Sequence, residues 1–134
     1  MREIKFRAWD KKWEEWLNPE EHVIYADNGD VGEVNDDELV EDIVHDTVVE
    51  QFTGLHDKNG KDIYESDVVK LHVVILSPDD KVGVIEYSPE FGYCINFGKA
   101  IARQEYWAAN DKHTIEVIGN IHENPELLEK TGVE

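Results

Sequence analysis

The sequence predicts a mainly β protein, an antiparallel meander that closes into an SH3-like barrel. Short runs of β-branched and aromatic residues alternate with polar ones, and Gly, Pro, Asn and Asp separate them as in tight turns. Closure into a barrel protects the edges of such short strands. The 134 residues correspond in size to one domain, with residues 1–46 and 47–134 as possible subdomains.

The amino-terminal third is predicted to contain four strands. Residues 4–9 alternate like a half-buried strand, and residues 13–17 are expected to return beside them and bring their Trp residues close. Residues 22–26 and 31–34 flank Asp27-Asn28-Gly29-Asp30, which has strong turn chemistry. The sequence therefore predicts two hairpins before residue 35.

A short helix is predicted over residues 37–45. Its apolar residues recur at three- and four-residue spacing among acids that suit a helix start, namely Leu39, Val40, Ile43 and Val44. Asn35 or Asp36 is the candidate N-cap. A disordered acidic linker is the alternative, because the helix would have barely two turns. Either way, the boundary between the two subdomains falls here.

The second half is predicted to be the meander itself. Its strands are residues 68–76, 82–87, 93–97 and 114–121, and residues 98–110 fit either a helix or a long loop. Asn124 and Pro125 suit the cap and first position of a short helix over residues 125–130. This helix is expected to pack Leu127 or Leu128 on the barrel.

The central turn lies at Asn59-Gly60. A type I′ hairpin turn needs positive φ at both central positions, which Asn and Gly accept at low cost. Calcium binding is excluded, because an EF-hand loop beginning at Asp57 would have Lys61 at its fifth position and Val68 at its twelfth. Asn59, Gly60 and Asp67 are therefore interpreted as a structural motif.

Three phrases of the chain resemble the YopX family, small proteins of phages and prophages of Gram-positive bacteria. They are REIKFRAWD near the start, FTGLHDKNGKDIYESDVV in the middle and IEVIGNIHENPELLE near the end. The family generally has glycine where this chain has Ser66. This difference means either that the turn does not need positive φ or that the Ser66 hydroxyl caps it. The resemblance implies a phage or prophage accessory protein that assembles from like subunits.

Charge is distributed very unevenly. The formal net charge is −18, and residues 13–51 contain 14 Asp or Glu but no Lys or Arg. Such a field repels phosphate backbones and attracts basic proteins, so direct nucleic-acid binding is disfavoured. One hypothesis is an acidic DNA mimic that binds a basic host or phage protein. The alternative is that the acids only keep the protein soluble.

No residue pattern points to catalysis, a cofactor or a metal. The sequence has no glycine-rich phosphate loop and no Gly-x-Ser-x-Gly nucleophile. The six histidines have no ligand-like spacing, namely His22, His45, His56, His72, His113 and His122. Cys94 lies in an alternating strand pattern and is predicted to be a buried structural thiol. We therefore expect a protein that is not an enzyme.

The aromatic residues form the candidate protein-contact surface. Its predicted members are Trp9, Trp13, Trp16, Tyr106 and Trp107. Because aromatics are enriched in interface cores, the preferred prediction is a homo-oligomer. Binding of single-stranded nucleic acid by base stacking on these rings is the less favoured prediction. Such sites combine aromatic rings with a basic groove, and only five basic residues near the start of the chain could supply one. With neither a signal-peptide pattern nor a membrane-spanning apolar run, we expect a cytoplasmic protein that does not bind membranes.

Overall fold

The computed structural model describes residues 3–35, 40–73, 80–108 and 113–133. The prediction of a mainly β protein with antiparallel sheets is confirmed. The chain forms two compact units: an amino-terminal unit, Lys5–Gln51, and a carboxy-terminal unit, Phe52–Glu134 with the first four residues. The division lies within one strand, whereas the sequence places the boundary at residues 46 and 47.

In the amino-terminal unit, strand β1 (Phe6–Asp10) pairs on one side with the short β2 (Glu15–Trp16) and on the other with β6 (Thr47–His56). The first five residues of β6 make this pairing, and its last five belong to the carboxy-terminal unit. The predicted strands at residues 4–9 and 13–17 are thus confirmed, with somewhat different ends. Trp9 lies opposite Trp16, as expected.

The second sheet of this unit has three strands, β3 (His22–Ile24), β4 (Val31–Val34) and β5 (Val40–Val44). The predicted hairpin at residues 27–30 is confirmed, and Gly29 has a left-handed φ of 77°. The predicted helix over residues 37–45 is wrong for Val40–Val44, which is a strand; residues 37–39 lie outside the described residues.

A bulge in β5 explains why the segment looked helical. The pairs Val34–Val40 and Glu33–Asp42 leave one extra residue on β5, so the two-residue alternation of a strand is interrupted there. The apolar residues then recur at three- and four-residue spacing, as they do in a helix. Pairing with β4 stabilises the segment more than two isolated helical turns would.

The carboxy-terminal unit is built on a five-stranded antiparallel sheet, a curled half-barrel. Its order is β11-β10-β9-β8-β12, and the strand bounds are β8 Asp67–Val73, β9 Lys81–Ser88, β10 Gly92–Asn96, β11 Ile101–Ala102 and β12 His113–Asn120. All four predicted strands of the meander are confirmed where the chain is described. Closure into an SH3-like barrel stays a prediction.

One face of this sheet carries the main core. Ile85 and Ile95 are fully buried in a cluster that also contains Ile63, Tyr93 and Trp107. β12 returns beside β8 rather than following β10, so residues about 45 positions apart pair, as Ile115 does with Leu71. The core therefore depends on non-local contacts.

In the described part of the chain, residues 98–110, which the sequence left open between helix and loop, and the predicted terminal helix contain only short elements. The described part of residues 98–110, which ends at residue 108, combines strand β11 with one helical turn, α1 (Gln104–Trp107). The terminal helix is confirmed as a 3₁₀ turn, Pro125–Leu127, followed by α2 (Leu128–Thr131). Pro125 stands at its first position, but Asn124 does not cap it; the Asn124 side chain accepts the N–H of Asn120 instead.

The central hairpin has a different turn from the predicted one. β6 and β7 (Asp62–Tyr64) are joined by residues 57–61, and Gly60 has a φ of 81° while Asn59 is not left-handed. The type I′ prediction is therefore wrong. Asp57 organises the loop instead: its Oδ1 accepts the N–H groups of Asn59 and Lys61, each at 2.9 Å.

Asp57 also ties this loop to β12. Its Oδ2 accepts the Val117 N–H at 2.9 Å, and the neighbouring Lys58 N–H donates to the Ile115 carbonyl at 2.8 Å. Val117 stands next to a register shift in β12. The loop thus covers β12, an edge strand of the five-stranded sheet. It also provides hydrogen-bond partners for β12 backbone groups that do not pair within the sheet.

The next turn, at residues 64–67, depends on Asp67 and Ser66. Buried Asp67 accepts the Tyr64 N–H through Oδ2 at 2.8 Å. Ser66 has a φ of 68°, so the turn does require the left-handed conformation that the family's glycine supplies. Its backbone is also held, because the Ser66 N–H donates to the Ile85 carbonyl and its carbonyl accepts the Ile121 N–H.

Replacing Ser66 by glycine is expected to raise the free energy of unfolding by about 1 kcal/mol, because glycine adopts positive φ without the Cβ clash. Urea denaturation of the two proteins checks the prediction. Gly60→Ala is the opposite control, since it puts a Cβ at a left-handed position and should destabilise by a similar amount. No gain in stability for Ser66→Gly would contradict the strain argument.

Candidate protein-contact surface

Two of the predicted contact residues lie together inside the amino-terminal unit. Trp9 is buried and meets Trp16 edge to face, with ring centroids 4.9 Å apart. The Arg7 guanidinium lies 4.3 Å above the Trp16 ring and donates through Nε to Glu50 at 3.0 Å. Trp9 therefore belongs to the core, and half-buried Trp16 packs at its margin.

Trp13 is exposed, as a contact residue should be. It lies in the turn between β1 and β2, and 69% of its surface is accessible. Buried Asp10 holds this turn, because its Oδ1 accepts the N–H groups of Lys12 and Trp13. Lys12 places its ammonium 5.6 Å from the indole ring. The turn thus presents an exposed indole, with a lysine beside it, to solvent.

The two predicted contact residues of the carboxy-terminal unit divide in the same way. Trp107 is buried, and its Nε1 donates to the Tyr93 carbonyl at 2.9 Å. Tyr106 is exposed. Trp107 is therefore a core residue, and Tyr106, which precedes it in the single turn of α1 at about 100° around the helix axis, faces solvent.

A contact surface that the sequence analysis missed lies on the three-stranded sheet. Val23, Gly32 and Ile43 stand side by side in register on β3, β4 and β5. Val23 is 40% exposed, Ile43 39% and Tyr25 38%. We call the surface of Val23, Tyr25 and Ile43 the open face. The opposite face holds fully buried Val31, so the sheet has a distinct inner and outer side.

Gly32 stands between Val23 and Ile43, which are two strand spacings apart, about 10 Å. Gly32 itself is buried. The apolar side chains that this surface offers to another molecule are therefore Val23, Tyr25 and Ile43. The signal for this surface was the pair Val23 and Tyr25, two apolar residues at two-residue spacing, but the sequence does not tell which face is covered.

Acidic residues surround the open face. Strand alternation places Glu21 and Asp30 on the same side as Val23 and Tyr25, and both acids are exposed. Eight described acids of the amino-terminal unit are exposed, namely Glu14, Glu15, Glu20, Glu21, Asp27, Asp30, Glu33 and Asp46. The open face is therefore an apolar strip in a strongly negative field.

The carboxylate with a perturbed pKa is structural. Burial raises the pKa of Asp57, but the N–H groups of Val117, Lys61 and Asn59, with the charge of Lys61, lower it more, and the net pKa lies below the usual value. Asp57 borders a cleft of about 280 Å³ with Leu55 and Trp107. Because the carboxylate oxygens already accept three backbone N–H groups, Asp57 holds the loop rather than a substrate.

Cys94 is buried, as the sequence predicts. Burial raises the pKa of its thiol above the usual value, with a smaller contribution from Glu86, so the nucleophilic thiolate is scarce at neutral pH. Among the described residues, no three His, Cys, Asp or Glu side chains come together as a possible metal site. In the same part of the chain, no helix is long and apolar enough to span a membrane.

Comparison with known proteins gives a family and solved structures of similar fold. A family model described as YopX protein matches residues 5–129. Protein EF1440 from Enterococcus faecalis is 27% identical, with a TM-score of 0.60 over 96% of this chain and 99% of that chain. Protein yopX from Bacillus subtilis is 22% identical, with a TM-score of 0.62 over 95% and 98%, a likeness that shows the fold. No curated protein matches the sequence.

Proposed function

This chain belongs to the YopX family, and we propose that it is a protein-binding module whose partner presents a basic, partly apolar segment. The single observation that carries the proposal is the open face, a group of exposed apolar side chains with acids around it. Apolar contact would supply binding free energy, and the acids would select and orient a cationic partner.

The charge of the amino-terminal unit argues for a basic partner over a second copy at this surface. Glu21 and Asp30 would face like charges if two open faces met, and such pairing is costly. The same acids repel a phosphate backbone, so they oppose direct nucleic-acid binding. A basic nucleic-acid-binding protein fits the charge well, which is the DNA-mimic form of the proposal.

Self-association remains a different form of protein binding. Exposed Trp13 and Tyr106 support it, because aromatic residues are enriched in interface cores. Trp9 and Trp107 do not support it, since both are buried within the single chain. Trp13 beside Lys12 could stack on a base, yet one ring with one cation is a small platform for single-stranded nucleic acid.

The wider biological setting is part of the proposal. We infer an accessory protein of phage or prophage origin that works in the bacterial cytoplasm by binding rather than by catalysis. The family resemblance supports the origin, and the buried, weakly reactive Cys94 suits a reducing compartment. The structural role of Asp57 supports binding over catalysis.

A synthetic amphipathic Lys/Leu peptide tests the open face directly. The wild-type protein is expected to bind it at least about tenfold more tightly than a Lys/Ser peptide of equal charge, because only the first offers apolar side chains. The double variant Glu21→Lys/Asp30→Lys should weaken binding about tenfold. Val23→Ser/Ile43→Ser should remove the preference for Leu. Isothermal titration calorimetry measures all of these.

The matched control changes the same amount of charge elsewhere. Glu126 and Glu129 are exposed acids of the carboxy-terminal unit, and Glu126→Lys/Glu129→Lys should leave peptide binding nearly unchanged. If this control weakens binding as much as the open-face variant, net charge explains the result and the proposed surface is wrong.

A capture experiment from bacterial lysate then distinguishes the forms of protein binding. Capture of nucleic-acid-binding proteins that is lost between about 0.05 and about 0.5 M salt, and lost in Glu21→Lys/Asp30→Lys, supports a basic partner. An oligomer that light scattering finds unchanged by salt, with no such capture, would instead support self-association.

A further inference from the structure

The carboxy-terminal unit contains a second cleft, whose charged lining residues are basic, whereas those around the open face are acidic. It has a volume of about 340 Å³ and lies where β11 and α1 pass beside the ends of β8 and β9. Among its lining residues, Leu71 pairs in register with Lys81, and the Phe97 N–H donates to the Ala100 carbonyl at 2.9 Å. The cleft is therefore formed by regular backbone pairing.

The floor and walls of the cleft are apolar. Leu71 and Ala102 are buried members of the main core, and half-buried Phe97 packs against the same core. Ile101 and Tyr106 line the cleft and are about half exposed, so they stand at its mouth. An apolar ligand chain placed here would cover side chains that otherwise contact water.

The charged side chains that line this cleft are both cationic, Lys81 and Arg103. The Arg103 guanidinium lies 4.1 Å above the Phe91 ring, which restricts its position. Its contact with Glu105, at 3.8 Å, is solvent-exposed and therefore weak. Two cations beside an apolar cleft are unusual in a chain with a net charge of −18.

We propose that this cleft binds a small amphipathic carboxylate, with its apolar chain over Leu71 and Phe97 and its carboxylate at Lys81 and Arg103. The cleft volume of about 340 Å³ lies near the lower end of the range for ligand-binding clefts, which suits a small molecule with a short apolar chain. Arginine and lysine are the usual partners of a carboxylate, and the apolar walls exclude a fully polar ligand.

Sodium decanoate, used below its micellar concentration, is the probe. Isothermal titration calorimetry should detect saturable binding, and the amide signals of Ala102 and Arg103 should shift in two-dimensional NMR. Decyltrimethylammonium has the same chain with a positive head. The net charge of the protein attracts this cation, so a preference of at least about tenfold for decanoate can arise only from the local cations.

Variants locate the site. Lys81→Gln/Arg103→Gln should weaken decanoate binding at least about tenfold, and Ile101→Glu should do the same by placing a carboxylate at the mouth. Lys99→Gln is the matched control, because Lys99 is an exposed lysine close in sequence that does not line the cleft. Thermal denaturation verifies that each variant is folded.

Three results would overturn the proposal. They are no saturable decanoate binding by the wild-type protein, equal binding of decyltrimethylammonium, and a loss in Lys99→Gln as large as in Lys81→Gln/Arg103→Gln. None of them bears on the open face, because Val23, Tyr25 and Ile43 lie in the amino-terminal unit and the cleft lies in the carboxy-terminal unit.

Discussion

Replacing Asp57 by asparagine is expected to lower the free energy of unfolding of the carboxy-terminal unit by about 2–4 kcal/mol. Asparagine has the same shape, and its one oxygen can still accept the N–H groups of Asn59 and Lys61. Its amide nitrogen must then face the Val117 N–H, so two donors oppose each other. Three charge-assisted bonds are thus lost or weakened at a buried position.

The effect of Asp57→Asn should depend on pH. The folded-state pKa of Asp57 lies below its unfolded value, near 3.9, because backbone donors outweigh the opposing effect of burial. The carboxylate therefore contributes its full stability above about pH 4, and this contribution is lost as the pH falls through the folded-state pKa. The difference between wild type and variant should accordingly shrink in acid.

Urea denaturation at neutral pH and in acid measures the difference, and hydrogen exchange of the Val117 amide reports the local bond. Asp62→Asn is the matched control, because the half-buried Asp62 carboxylate pairs with partly exposed His56 at 3.0 Å and should matter by less than about 1 kcal/mol. Equal effects of the two substitutions would refute the role assigned to Asp57.

Replacing Arg7 by methionine is expected to destabilise the amino-terminal unit by about 3 kcal/mol. Arg7 and Glu50 stand directly opposite on β1 and β6, with Arg7 Nε 3.0 Å from Glu50 Oε1. The Glu50 side chain is only 3% exposed, so the substitution removes a cation from beside a buried carboxylate. It also removes the guanidinium from the Trp16 ring.

A double-mutant cycle separates the pair from its surroundings. Arg7→Met/Glu50→Met should be less destabilised than the sum of its single variants by about 1–3 kcal/mol, because a buried apolar pair replaces a buried ion pair. Tryptophan fluorescence during urea denaturation follows this unit when the cycle is carried out in a Trp107→Phe background, because the remaining Trp9, Trp13 and Trp16 all lie in it. Additive single effects would show that the two side chains are not coupled.

The ion pair of Lys58 with Glu116 is the control, because it keeps the separation of the charged atoms and changes their burial. Their charged atoms are also 3.0 Å apart, but both side chains are far more exposed than Glu50. Lys58→Met should therefore cost less than about 1 kcal/mol. A cost near that of Arg7→Met would mean that burial is not what makes the Arg7–Glu50 pair strong.

Local sequence was sufficient wherever one short rule decided the structure. Two-residue alternation predicted the strands around Trp9, Val31, Ile85 and Ile115, and Gly29 marked its turn. The same rule failed at Val40–Val44, where a bulge changes the spacing of apolar residues. It also could not identify the loop at Asn59-Gly60, because the decisive side chain, Asp57, accepts an N–H from a residue 60 positions away.

The candidate surfaces were harder to predict than the fold. Counting aromatics selected Trp9 and Trp107, which the structure buries, together with Trp13 and Tyr106, which it exposes. The open face was missed, because it needs three strands to bring Val23, Gly32 and Ile43 into one row. The cationic cleft was missed for the same reason, since Lys81 and Arg103 are far apart in the sequence.

The sequence by itself determined the β class, the family and the concentration of acid in residues 13–51, because alternation, turn chemistry and charge are local properties of the chain. Only the tertiary structure decided which apolar residues are core, which carboxylates are structural and where ligands have room. Burial and hydrogen bonding depend on strand register, and register joins residues that local patterns cannot relate.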